Sequence, residues 1–81
     1  MDAREAEPGQ IEVQQALGRR LQEVRRARGW TQEEAAARLG MGWRRLQDIE
    51  GGSVNLTLRV LVRLANAYGV QVGDLFDRSP P

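Results

Sequence analysis

The stretch that decides the fold is Thr31–Glu50, TQEEAAARLGMGWRRLQDIE. Thr31 is followed three residues later by Glu34, a capping box that opens a helix, and the carboxylate also suits the positive helix end. Ala35, Ala36 and Leu39 share one side of that helix and face inward. Gly40 ends it within the tight turn Leu39-Gly40-Met41-Gly42. A second short helix runs roughly from Trp43 to Glu50 and closes at Gly51-Gly52. Ala36, four residues before Gly40, is small enough for the second helix to cross closely. Leu46 and Ile49, six and nine residues after Gly40, anchor that second helix to a core. The offsets predict two short helices packed across a glycine turn.

Upstream, Leu17, Leu21 and Val24 recur at helical spacing and predict a helix from about Val13 to Arg28, stopped by Gly29. Downstream, Asn55 or Thr57 caps a further helix whose apolar stripe is Leu58, Leu61, Leu64, Ala65 and Tyr68, closed by Gly69. Val72 to Phe76 adds one more turn, and Trp30 and Tyr68 are expected in the core. No segment alternates with period two long enough to be a strand. The expected fold is all-α, a compact bundle of about five short helices. Residues 1–13 are expected to be an acidic, flexible tail, broken by Pro8-Gly9, with order beginning near Ile11. Residues 14–78 form the folded domain, and 79–81 a frayed end.

Composition narrows the chemistry. The 81 residues contain twelve arginines but no lysine, cysteine or histidine. That removes disulfides, thiolate metal sites, a cysteine nucleophile and the commonest general base. A serine–histidine hydrolase and a zinc finger are excluded, and no metal or other cofactor is expected. No apolar run approaches the roughly 18 residues that span a bilayer. The N-terminus is acidic without an apolar stretch, unlike a signal peptide. A small soluble cytoplasmic protein is the expectation, with no membrane partner and no small-molecule ligand. The net charge of +1 averages unlike parts. Residues 1–13 carry −3, whereas residues 19–45 hold eight arginines against three acids, a net of +5.

The small–glycine–apolar–apolar offsets of Ala36, Gly40, Leu46 and Ile49 are the signature of a helix-turn-helix. The wider pattern resembles the Cro/CI-type (XRE, lambda-repressor-like) family. It runs through Leu17-Gly18-Arg19-Arg20-Leu21, Arg25, Trp30-Thr31-Gln32-Glu33-Glu34, Ala36, Gly40, Leu46, Ile49-Glu50 and Gly52. It continues through Leu58, Leu61, Leu64-Ala65, Gly69-Val70 and Leu75. Asn55-Leu56-Thr57-Leu58 is also similar to small control proteins of restriction–modification systems. Ala35 stands where the family usually has leucine, Gly42 where it has a serine or threonine cap, Leu56 where proline is common and Gln71 where a serine caps.

The resemblance implies that the second helix of the motif enters the DNA major groove. At about 100° per residue, the direction opposite Leu46 and Ile49 falls on Arg44, flanked by Gln47 and Asp48, with Trp43 and Arg45 at the edges. Arg44 is the candidate for bidentate contact with guanine, and Gln47 for adenine or phosphate. Trp43 either meets a thymine methyl or packs on the bundle edge. Asp48 accepts from cytosine N4 or is simply solvated. Gln32, at a helix start where the resemblance places a phosphate-binding glutamine, joins Arg45, Ser53 and Asn55 as phosphate candidates. Arg19, Arg20, Arg26, Arg28 and Arg38 add positive charge of unknown facing. The resemblance further implies a structural ion pair between Arg25 and Glu50.

Val70, Val72, Leu75 and Phe76 are the candidate dimer surface; the alternative is that they complete the monomer core. The expected function is a sequence-specific transcriptional regulator, a homodimer on palindromic double-stranded DNA. The competing expectation is a protein-interaction module, antitoxin-like or polymerase-binding, that keeps the fold without the DNA contact. An enzyme is not expected, because Arg44, Gln47 and Asp48 make no nucleophile–base pair.

Overall fold

A computed structural model describes residues 5–76. Four α-helices follow one another: α1 (Gln10–Ala27), α2 (Gln32–Leu39), α3 (Trp43–Glu50) and α4 (Leu58–Tyr68), then a 3-10 helix at Val72–Leu75. The fold is all-α, and the expected fifth helix is this single 3-10 turn. The end expected to fray at 79–81 lies outside the described residues, as do residues 1–4 of the expected tail.

Helix α1 begins three residues earlier than the apolar spacing predicts, so residues 10–13 of the expected tail form its first turn. Gly9, at φ 84°, turns the chain into the helix. The Glu7 amide donates to Gln10 Oε1 at 3.0 Å, and Gln14 Nε2 donates to the Gly52 carbonyl at 3.1 Å. These polar side chains extend the helix beyond the point where the apolar pattern is legible. Helix α2 opens on the expected capping box: Thr31 Oγ1 accepts from the Glu34 amide at 3.1 Å, and Glu34 Oε1 from the Thr31 amide at 3.3 Å. Helix α4 is capped by Thr57, not Asn55; Thr57 Oγ1 accepts from the Val60 amide at 3.2 Å.

Two glycines set how closely α1 and the end of α3 approach. A Cβ on Gly18 would lie 2.4 Å from the Glu50 carbonyl oxygen and 2.8 Å from that of Ile49. Gly52 adopts φ +80°, and a Cβ there would stand 2.7 Å from Gln15 Cα. Backbone meets backbone at this junction, which no residue with a side chain permits without a shift.

The core comprises Leu17, Leu21, Val24, Ala35, Ala36, Leu39, Leu46, Ile49, Leu64, Ala65, Tyr68 and Leu75. Three expectations are corrected here. Leu58, assigned to the inward stripe of α4, is 71% exposed; it sits in the first turn, where no packed element covers it. Trp30 is half-buried at the rim, its ring centroid 5.7 Å from that of Tyr68 and 4.4 Å from the Arg38 guanidinium carbon, which lies over the indole. Leu75, expected among the dimer-surface candidates, is 1% exposed, because the 3-10 turn folds it into the monomer core. Val70 and Val72 are partly buried against that core, and of the four only Phe76 stays largely exposed. Arginines secure the C-terminal part: Arg20 Nε donates to the Asp74 carbonyl at 2.9 Å, and Arg28 Nε to the Tyr68 carbonyl at 3.0 Å.

Candidate nucleic-acid interface

Helix α3 is eight residues long and two-sided. Leu46, Ile49 and Glu50 are buried, while Trp43, Arg44, Arg45, Gln47 and Asp48 are exposed. All the base-reading candidates therefore lie on the solvent side of one short helix, as the helical geometry predicts. The hydrophobic contacts of Leu46 and Ile49 fix the rotation of the helix about its axis. That rotation in turn fixes where Arg44 points.

The C-terminal end of α3 is held by charge. Arg25 Nε donates to Glu50 Oε2 at 2.8 Å and Nη2 to Glu50 Oε1 at 3.1 Å, a bidentate pair. Its remaining nitrogen, Nη1, donates to the Trp30 carbonyl at 2.8 Å. Both side chains are nearly sealed from solvent. The Glu50 carboxylate raises the Arg25 pKa through this hydrogen bond, against the opposing effect of burial. Beside the pair lies Tyr68, 1% exposed, whose hydroxyl has no hydrogen-bond partner. Burial first, and the Glu50 charge second, push its pKa up to about 12.

Gln32 occupies the start of α2, and its side chain points into the protein's own network. Its Nε2 donates to Glu50 Oε1 at 3.0 Å, and its Oε1 accepts from the Trp43 indole Nε1 at 3.4 Å. The buried ion pair is thus linked, through one amide, to the first residue of α3. Trp43 remains 48% exposed. Spacing alone gave no sign of this link, since the two contacts span 18 and 11 residues.

A family model described as a helix-turn-helix domain matches residues 16–78. The chain belongs to the helix-turn-helix family. It is 35% identical over 63 residues to the HTH-type transcriptional regulator ImmR of Bacillus subtilis (strain 168), covering 78% of this chain and 50% of that protein. It is 37% identical over 60 residues to the HTH-type transcriptional regulator y4dJ of Sinorhizobium fredii, covering 74% of this chain and 78% of the relative. Its fold matches the crystal structure of the restriction–modification controller protein C.AhdI from Aeromonas hydrophila. That match has a TM-score of 0.76 and 30% identity, over 82% of this chain and 96% of the other. The chain spans half the length of ImmR and most of the other two.

In this helix-turn-helix protein the phosphate candidates separate into two kinds. Arg45 and Asn55 are exposed. Ser53 is exposed, but its hydroxyl donates to the Asp48 carbonyl at 3.1 Å and its amide to the same oxygen at 3.1 Å, closing the end of α3. Ser53 and Gln32 therefore have structural roles already, and either reaches DNA only through atoms those roles leave over. Among the described residues no helix is long and apolar enough to cross a membrane, and no cluster of acidic side chains could hold a metal ion.

Proposed function

We propose that this chain is a sequence-specific DNA-binding transcriptional regulator that engages a palindromic operator as a homodimer, with α3 in the major groove. The observation that carries this reading is the solvent face of α3. Arg44 and Gln47 stand free on a helix whose opposite side is locked into the core. Arg44 is the proposed guanine reader and Gln47 the adenine or phosphate contact. Trp43 and Asp48 flank them, and Arg45 and Asn55 contact the DNA backbone. The relatives named as transcriptional regulators and the C.AhdI controller support the same reading. Such a protein acts in the cytoplasm, on the DNA itself.

One module reads few base pairs, so two related by a twofold axis would read half-sites about 34 Å apart or a multiple of it. The proposed dimer surface is centred on Phe76, with Val70 and Val72 beside it. Phe76 is 48% exposed and borders a groove lined by Val13, Ala16, Leu17 and Leu75, with Glu12 and Arg20 also in its wall. Sedimentation should show a dimer at high micromolar concentration or on DNA. A strict monomer under both conditions would remove the twofold arrangement.

Selection of bound DNA from a random pool tests the whole reading. A palindrome with helical-turn spacing is the expected result, and no enrichment would overturn it. The competing reading, a protein-interaction module, draws on the near-neutral net charge and on Asp48 in the exposed face. Salt separates the two. A dimer with about 6–10 phosphate contacts loses roughly 10³–10⁵ in affinity between about 50 and 200 mM salt, whereas a protein partner loses far less.

A further inference from the structure

We propose that Trp43 reads the C5-methyl group of a pyrimidine in the major groove, and that Gln32 confines it to that task. The proposal rests on the DNA-binding reading above and specifies what one position of α3 recognises. An indole has a single hydrogen-bonding atom, the Nε1–H donor. In this structure that donor is directed at Gln32 Oε1, 3.4 Å away.

The amide cannot be turned round without cost, because chemistry assigns both of its ends. Glu50 is an acceptor buried at 3% exposure and held on both oxygens by Arg25, so the Gln32 atom facing it must be the NH2 group. The other end is then the carbonyl oxygen, which is what an indole N–H requires. A flipped amide would set oxygen against carboxylate and N–H against N–H.

What Trp43 presents outward is therefore a ring, 48% exposed, whose one polar atom is already taken. The major-groove edges of the four base pairs offer donors, acceptors and one apolar group, the methyl on C5 of thymine. A 5-methylcytosine carries the same methyl on the same atom. An indole without a free donor matches that group and none of the others. Arg44, the next residue, supplies the hydrogen-bonding readout, so the start of α3 combines one apolar and one polar reader.

The test uses the full chain and the operator returned by selection. Each thymine is replaced in turn, symmetrically in both half-sites, by deoxyuridine, which keeps the pairing and removes the methyl. One position per half-site should weaken binding roughly fourfold per methyl removed, and so roughly 15-fold for the symmetric pair, the size expected for exposing two buried methyls. Cytosine at that position should bind weakly and 5-methylcytosine should recover the loss. That arm shows whether the methyl alone is read or thymine as a whole. Trp43→Ala should bind the thymine and uracil operators equally, and Trp43→Phe should keep a preference for the methyl. Both variants should melt like the wild type. Gln32→Leu, which leaves the indole without its acceptor, should reduce the preference.

Insensitivity of every thymine to methyl removal would overturn the proposal while leaving the DNA-binding reading intact. So would a methyl preference that survives Trp43→Ala, which would assign the contact to another residue. A preference unchanged in Gln32→Leu would overturn the role of Gln32. A pool that yields no operator would sink the underlying reading and this proposal with it.

Discussion

The two ends of α3 differ in almost every respect. At its C-terminal end, Glu50 is gripped by Arg25 and Gln32, the backbone lies against Gly18, and Gly52 packs on Gln15. Ser53 closes the last turn through the Asp48 carbonyl. At its N-terminal end, Gly42 provides no side-chain cap, and Trp43, Arg44 and Arg45 stand in solvent. One short helix is thus pinned where it meets the bundle and open where DNA would meet it. On the proposed function, stability and recognition fall to opposite ends, so changes at each should move different measurements.

The largest effect is expected at the pinned end. Arg25→Ala leaves Glu50 buried without its bidentate partner, which typically costs about 3–5 kcal/mol. Small domains have total stabilities of about 5–15 kcal/mol, so this is a large fraction. Urea unfolding should show a much lower midpoint. A loss below about 1 kcal/mol would mean that the pair orients α3 without holding it.

A slightly smaller effect follows from Tyr68, which lies behind the same pair. Its folded pKa of about 12 stands above the usual value of 10.0, so the fold favours the protonated phenol. The linked stability is fully present below pH 10 and is lost as the pH rises toward 12, roughly 3 kcal/mol in all. The sequence makes the test clean. With no lysine or cysteine and one tyrosine, Tyr68 is the only side chain expected to titrate in this range, since arginine stays charged. Tyr68→Phe should abolish this alkaline loss. It should also cost nothing at pH 7, because the hydroxyl it removes is buried without a partner. An identical alkaline loss in Tyr68→Phe would place the titrating group elsewhere.

At the open end the ordering reverses, with recognition changing and stability not. Arg44→Ala should cost roughly 1–3 kcal/mol of sequence discrimination, read as the affinity ratio between the operator and a base-substituted site. Its unfolding free energy should stay within about 0.5 kcal/mol of wild type, as for other exposed positions. Undiminished discrimination would show that α3 does not dock through this face.

The same division explains what could be read from the sequence. The capping box at Thr31 and Glu34, the turn at Gly40 and the anchors Leu46 and Ile49 are local, separated by a few residues, and helical geometry converts their spacing into position. The exposed face of α3 follows as the complement of its buried one. The pinned end depends on contacts that spacing does not encode. Gly18 and Glu50 are 32 residues apart, and their backbone approach leaves only a glycine as its mark. The Arg25–Glu50 pair was anticipated only through family resemblance. The placement of Gln32 in that network was missed, because a glutamine at a helix start reads equally well as a phosphate ligand. Leu75 stays open between dimer surface and monomer core in the sequence, because a single 3-10 turn has no period to show which way a side chain points, and the structure selects the core. Leu58 was misplaced because a stripe gives a direction but not where the covering layer stops.

The smallest predicted effect probes the open end directly. Gly42 caps α3 with φ −68° and ψ 146°, an extended conformation open to any residue. A Cβ at this position would meet nothing within 4 Å, so a side chain fits without displacing a neighbour. In Gly42→Ser, the new hydroxyl can accept from the Arg45 amide at the third helical position, which no side chain caps in the native protein. Serine is better than glycine as a cap by only a few tenths of a kcal/mol. For a domain of this size that raises the melting temperature by about 1–3 °C. The ratio of affinities between operator and altered sites should not change, because a cap bonds the backbone and leaves the direction of Trp43 to its bond with Gln32 and that of Arg44 to the helix rotation set by Leu46 and Ile49. A change in that ratio with little gain in stability would show that the open end helps to aim the reading residues, and that the separation between the two ends of α3 is incomplete.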